Sequence, residues 1–264
     1  MHEIADIACN FTSDRFDNDL DEVIDRAIAN HITKFGLICS RLRDIDKLLE
    51  IYNRYSKNMF FTIGVHPHHA NEINAEYLEK LKDVINKNNP HAIGETGLDF
   101  FRNLSTYEEQ MYAFEEQIKR AIDTNKPLFL HQRDSHEDFI KILRKYSSDI
   151  SKAVVHCFTG TQSQLDDYLE LDCYIGVTGW ICDEKRNVEL RKTIKNIPLS
   201  KLMIETDCPY LIPKNLLDKP KNNRNEPSYL NHIVTEISIL LDTDEEDIRN
   251  ESFKNTLSFF QSVN

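Results

Sequence analysis

The 264-residue sequence predicts an α/β protein folded as a closed (β/α)8 TIM barrel. Three observations lead there. Eight short apolar runs recur along the chain, separated by stretches of helical periodicity. Most runs are continuously apolar rather than alternating, as strands covered on both faces must be. The length matches one such barrel, and no low-complexity segment or linker divides it, so residues 1–264 are expected to form a single domain. A doubly wound open sheet is the rival architecture. Neither G-x-G-x-x-G nor G-x-x-x-x-G-K-[ST], the phosphate-binding turns such sheets use, follows any run.

The first run, "IADIACN" (4–10), offers Ile4, Ile7 and Ala8 to a core and stops at the amide Asn10. A helix is expected over 21–31, then "GLICS" (36–40), a helix over 42–53, and "FFTIGVHP" (60–67). A helix over 75–87 leads to "HAIGETG" (91–97). The clearest helix, 106–124, is expected to open with a Ser105/Glu108 capping box and to carry Met111, Phe114, Ile118, Ala121 and Ile122 on one face. "PLFLHQR" (127–133), a helix over 136–146, "AVVHCFTG" (153–160) and a helix over 162–170 follow. The pattern closes with "CYIGVTG" (173–179), a helix over 186–195, "LMIETDCP" (202–209) and helices over 228–241 and 244–260, the last with a Thr243/Glu246 capping box.

Composition narrows the function classes. Hydrophobic residues at 40% and charged residues at 29% are ordinary for a soluble globular enzyme, and no apolar run approaches a membrane span. His2, Glu3 and Asp6 at the N-terminus do not resemble a secretory signal. The six cysteines form no C-x-x-C pair and lie mostly in apolar runs, which reads as reduced, buried thiols and a cytoplasmic location. A net charge of −12 argues against a protein that coats DNA. It does not argue against a nucleic-acid substrate, because divalent cations held by carboxylates present positive charge to a phosphate.

In a barrel the strand C-termini converge on one face, so what each strand ends in matters. Strand three ends in His66-Pro67-His68, strand four in Glu95, strand five in His131 with Arg133 two residues on, strand six in His156, and strand eight in Glu205-Thr206-Asp207. Any one of these has an ordinary explanation as a core histidine or a loop-capping carboxylate. Together they form the imidazole-and-carboxylate set of a divalent-metal site, and hydrolysis is the chemistry that suits it. Glu95 suits a carboxylate bridging two ions about 3.5–4 Å apart. Asp207 suits a general base, and Arg133 could pair with a phosphate. Tyr107, Trp180 and Tyr210 could stack on bases, although rim or core packing is the ordinary role of each.

The motifs "GVHPH" (64–68), "IGETGLDFFRN" (93–103), "LHQRDSHEDF" (130–139), "VHCFTGT" (155–161), "YIGVTGW" (174–180), "LMIETDCPYL" (202–211) and "NRNEP" (223–227) together resemble the TatD family of metal-dependent deoxyribonucleases. The resemblance runs in order over nearly the whole chain. In "DFFRN" and "TGWICDE" it is closest to the branch that gives the family its name. It implies an amidohydrolase-like barrel of the metal-dependent hydrolase type. It also implies a magnesium-dependent 3′–5′ exonuclease on single-stranded DNA, with RNA as a further substrate, acting in DNA repair or degradation. One or two Mg2+ ions, with Mn2+ as a substitute, would be held by Glu95, His131, His156 and Asp207. The catalytic set would be Asp207, Glu95 and His66, and His68, Arg133 and Asn225 would assist substrate binding.

One departure stands out. Many relatives begin with D-x-H-x-H, whose two histidines hold a metal, whereas this chain has Ala8 and Asn10 at those positions. Loss of two imidazoles shifts the site from zinc towards magnesium, and leaves Asn10 as at most a weak ligand or water-holder. Two other functions compete: a zinc-type amidohydrolase or deacylase, for example on misacylated tRNA, and a barrel whose degraded metal site now serves only binding. The first would want the missing histidine pair. The second is opposed by the presence of Glu95, His131, His156 and Asp207.

Overall fold

The computed structural model describes residues 2–220 and 222–261. Eight parallel strands follow one another in sequence order: β1 (Ile4–Cys9), β2 (Ile32–Leu37), β3 (Met59–Ile63), β4 (Ala92–Asp99), β5 (Leu128–Arg133), β6 (Ala153–Val155), β7 (Tyr174–Val177) and β8 (Leu202–Ile204). The helices between them are α1 (Leu20–Ala29), α2 (Ile45–Arg54), α3 (Ala75–Asn88), α4 (Tyr107–Asp123), α5 (His136–Tyr146), α6 (Gln162–Glu170) and α7 (Val188–Thr193), with α8 (Leu230–Leu241) and α9 (Glu245–Phe260) after β8. No helix among the described residues is long and apolar enough to cross a membrane.

The barrel closes where β1 meets the chain leaving β8. Cys9 and Cys208 form a parallel bridge, and the Asn10 N–H donates to the Cys208 carbonyl at 2.8 Å. Below that, the Thr206 N–H donates to Asp6 Oδ1 at 2.9 Å, with the Thr206 hydroxyl on the other carboxylate oxygen. Asp6 is therefore a seam clasp. Its carboxyl is fully buried, and burial lifts its pKa to about 7 against the Thr206 hydrogen bonds.

Strand alternation separates two cores. Outward residues such as Ile63, Ile93, Leu130 and Ile175 pack under the helices. Inward residues Ile7, Phe60, Ala92, Phe129, Val154 and Met203 fill the barrel. Phe259 and Phe260 at the end of α9 join that interior core, and Phe260 stacks on Phe60 with centroids 4.9 Å apart and planes 6° apart. Because Phe60 and Ala92 lie at the starts of their strands, the pair plugs the N-terminal end, opposite the mouth.

Several boundaries differ from expectation. β2 begins at Ile32: Thr33 and Lys34 interrupt the apolar run, and the pairing with β1 continues past them through a register shift that skips Thr33. β6 and β8 pair for only three residues each, and the polar ends read as strand leave the sheet as loops. The capping box of α4 is Thr106/Glu109, one residue later than expected, because Ser105 is buried and accepts the Asn71 N–H. Asp244, not Thr243, caps α9.

Truncating Phe260 to Ala removes a buried ring from the plug. Denaturant unfolding of Phe260→Ala is expected to show a loss of about 3–5 kcal/mol; a loss below about 1 kcal/mol would mean that the plug is not part of the core.

Candidate active site

The same alternation that builds the interior core delivers the polar site above it. Two residues beyond Phe129, Val154 and Met203, on the same faces, stand His131, His156 and Glu205. The Phe129 ring lies 5.1 Å from that of His156, so the site rests directly on the apolar interior. Two glycines make room. Gly97 has φ +146°, and a Cβ there would lie 1.9 Å from the His131 carbonyl oxygen; a Cβ on Gly176 would lie 2.8 Å from Glu205 Oε1.

Glu95, in the middle of β4, is the hub. Its Oε1 lies 2.7 Å from His156 Nε2, 3.0 Å from His131 Nδ1 and 3.3 Å from His66 Nε2. Burial pushes the Glu95 carboxyl up, but the surrounding imidazoles of His66, His156 and His131 outweigh it and hold it well below the usual carboxylate range.

What occupies the second nitrogen of each ring tells ligands from donors. His131 Nε2 faces Asp99 Oδ2 at 3.3 Å. His156 Nδ1 faces Glu205 Oε2 at 3.4 Å, and neither of these buried atoms has a hydrogen-bond partner. His131 is thus oriented by an outer carboxylate, as in the carboxylate–histidine–metal arrangement, and His156 faces one at similar distance; each turns its other nitrogen to Glu95. His66 differs. Its Nδ1 accepts the His68 N–H at 3.1 Å, which puts the proton of the neutral ring on Nε2. Burial pushes its pKa down to about 4 against the pull of Glu95, so it stays neutral. Although ligand atoms of His66, Glu95 and His131 lie within 4.8 Å of one another, His66 presents an N–H donor and no lone pair. The donor set that fits a divalent cation is Glu95, His131 and His156.

The expected residues fall into distinct positions. Glu95, His66, His131 and His156 converge. Asp207 stands beside them in the electrostatic field of His156 and Glu95, and burial pushes its carboxyl up to about 8. Asn10 Nδ2 donates to Asp207 Oδ1 at 2.9 Å and to the Cys208 carbonyl at 3.2 Å, so its amide aims Asp207. His68 Nε2 lies 2.7 Å from Asp99 Oδ2. Arg133 is exposed at the rim, its guanidinium 3.9 Å over the Phe101 ring. Asn225 is fully buried; it donates to the Thr206 carbonyl at 2.9 Å and accepts the Glu226 N–H at 3.0 Å, so it braces the loop.

Glu205 was expected only as one of the polar strand ends of the set, and Asp99 was given no role. Both are buried partners of the ligand-like histidines. Burial pushes Asp99 up, but His131, His68 and the Arg102 N–H hold it well below the usual range. Their signal was parity: Asp99 shares the inward face with Glu95 and Gly97, and Glu205 shares it with Met203 and Asp207. The second histidine pair is absent from the fold as well: Ala8 packs in the interior core, and Asn10 is committed to Asp207.

A family model described as TatD related DNase matches residues 5–261. The chain is 38% identical over 255 residues to a protein of Erwinia amylovora named 3′-5′ ssDNA/RNA exonuclease TatD, covering 97% of this chain and 98% of that one. It is 42% identical over 233 residues to a protein of the same name from Escherichia fergusonii, covering 88% and 89%. A crystal structure of a TatD family hydrolase from Entamoeba histolytica superimposes with a TM-score of 0.88 at 30% identity, covering 98% of each chain.

Cation binding here is expected to be proton-coupled. Burial lowers the His131 and His156 pKa values, but Asp99, Glu95 and Glu205 more than reverse this, lifting His131 above its ordinary value and His156 well above it. Both rings must shed protons to ligate, so acid competes with the cation. Affinity for Mn2+ should rise at least about tenfold from pH 6 to pH 8, with proton release visible by calorimetry in buffers of different ionisation enthalpy. A pH-independent affinity without proton release would exclude these rings as ligands.

Proposed function

The chain belongs to the TatD-related DNase family, and from that premise we propose that it is a hydrolytic nuclease that cleaves phosphodiester bonds of single-stranded DNA and RNA from the 3′ end, using Mg2+. The observation that carries the reading is the group of Glu95, His131 and His156 at the barrel mouth, with each imidazole backed by a second carboxylate. Lack of a second imidazole pair, with Ala8 in the core, favours Mg2+ or Mn2+ over zinc and favours phosphodiester over amide hydrolysis. One ion is the minimum the donor set supports. Exonuclease polarity and the RNA substrate come from the curated relatives' names. A role in DNA repair or degradation completes the proposal, with a cytoplasmic location supported by the six free cysteines.

When bound by Glu95, His131 and His156, a divalent cation supplies Lewis-acid polarisation of a phosphoryl oxygen and acidifies water. The remaining work belongs to the side chains. His66 offers its Nε2–H to a non-bridging phosphate oxygen and stabilises the charge that grows there. Asp207, aimed by Asn10, takes the proton of the attacking water in its ionised form. Asp99 and Glu205 hold the tautomers of His131 and His156. Arg133, with Phe101 and His68 at the rim, meets the strand as it enters.

On 3′-labelled single-stranded DNA with Mg2+, the enzyme should release mononucleotides. Asp207→Asn should lower kcat about 10²–10⁴-fold. Asn10→Ala should lower kcat about 10-fold with cation affinity unchanged. An active Asp207→Asn enzyme would overturn the assignment of the base.

The ligand and donor roles also separate experimentally. His156→Ala should abolish Mn2+ binding by calorimetry, whereas His66→Ala should retain it and lose about 10²–10³ in kcat. Loss of Mn2+ binding in His66→Ala would make His66 a ligand.

A further inference from the structure

Beside the catalytic side chains, the loop leaving β8 and the turn after β7 enclose a cavity of about 300 Å³, at the lower end of small-ligand pockets. It begins one turn from the base: the Tyr210 N–H donates to the Asp207 carbonyl at 3.0 Å. Trp180 and Tyr210 supply aromatic wall, and Tyr210 is 53% exposed, so its face is open. Three cations line the space, Arg15, Arg186 and Lys214, and no acidic residue does, in a chain of net charge −12.

The cations are not neutralised by the fold. The Arg15 guanidinium is held by carbonyls alone, those of Pro209, Asn222 and Asn223 at 3.1, 3.3 and 2.8 Å; it stiffens the wall and keeps its charge. Arg186 has only a loose approach to Asp183, 3.9 Å, and Lys214 has no ion pair among the described residues. The two walls meet because position 179 is glycine: a Cβ there would lie 2.6 Å from the Leu211 carbonyl oxygen. Aromatic faces beside cations are what an unpaired, unstacked strand uses.

We propose that this cavity is a second nucleotide subsite, which holds the part of a single strand adjoining the scissile phosphate. A base stacks on Trp180 and Tyr210, and the flanking phosphates are met by Arg186 and Lys214. The inference rests on the nuclease reading above and deepens it, by naming the side chains that hold the strand beyond the scissile phosphate.

Trp180 is the only tryptophan in the chain, so it reports on its own subsite. Adding a phosphorothioate-linked dT hexamer to the Mg2+-loaded enzyme should quench its emission. Replacing both Arg186 and Lys214 by Gln should raise KM for a dT oligomer about tenfold, with kcat within about twofold. The slope of log KM against log salt should become shallower by about 1.4, roughly 0.7 for each phosphate released. Tyr210→Ala should raise KM in the same way, and Tyr112→Ala, on the exposed face of α4, should not. Emission unmoved by saturating hexamer, or KM and salt slope unchanged in the double variant, would overturn the subsite. A wild-type enzyme that cleaves without quenching removes the subsite and leaves the nuclease reading. Quenching with salt-dependent binding but no cleavage does the reverse.

Discussion

A carboxylate sunk at the centre of a barrel needs charge partners, and Glu95 takes its partners from three different strands. Burial alone would protonate it. The imidazoles of His66, His131 and His156 prevent that, and each must arrive from its own strand at hydrogen-bonding distance of one oxygen atom. This single requirement fixes the relative heights of β3, β4, β5 and β6. It also explains why Asp99 and Glu205 are buried: they are the counterweights that turn two of the rings so that their free nitrogens face inward.

The barrel's seam and its chemistry occupy the same few residues. Asp6 and Thr206 clasp β1 to the chain beyond β8, and one step higher Asn10 and Asp207 repeat the pairing. A loosened seam would therefore misaim Asp207 before it disturbed the cluster of Glu95, His131 and His156, which lies on β4, β5 and β6. Asn10 serves in this fold as a positioning amide.

Much of this was legible in the residues. Continuous apolar runs marked the strands, because burial on both faces leaves no room for polar interruption, and the failure at β2 came where Thr33 and Lys34 sit in a paired but less covered stretch. Glu95, His131 and His156 were readable because each ends or interrupts such a run. For Asp99 and Glu205 spacing shows only that they share the inward face; which ring nitrogen each faces across the barrel is not encoded in it. Asn10 was read as a missing ligand; its partner is 197 residues away in the chain. Asn225 looked like a loop residue free to meet substrate, and only its burial and its two backbone partners show it as a brace. Trp180 and Tyr210 looked like rim packing, since nothing local shows that two loops would enclose a cavity between them.

The aromatic plug has a consequence for biosynthesis. Phe259 and Phe260 follow every strand in the chain, yet they seal the end of the barrel from which the strands begin. During synthesis, all eight strands can leave the ribosome before their common floor exists. Until residues 259 and 260 emerge from the exit tunnel, the interior stays open to water at its base, and the apolar layer beneath the histidines lacks its last partners. Completion of the site therefore waits for α9: the eight strands can begin to pair as they emerge, but the layer beneath the histidines is sealed only when residues 259 and 260 have left the tunnel.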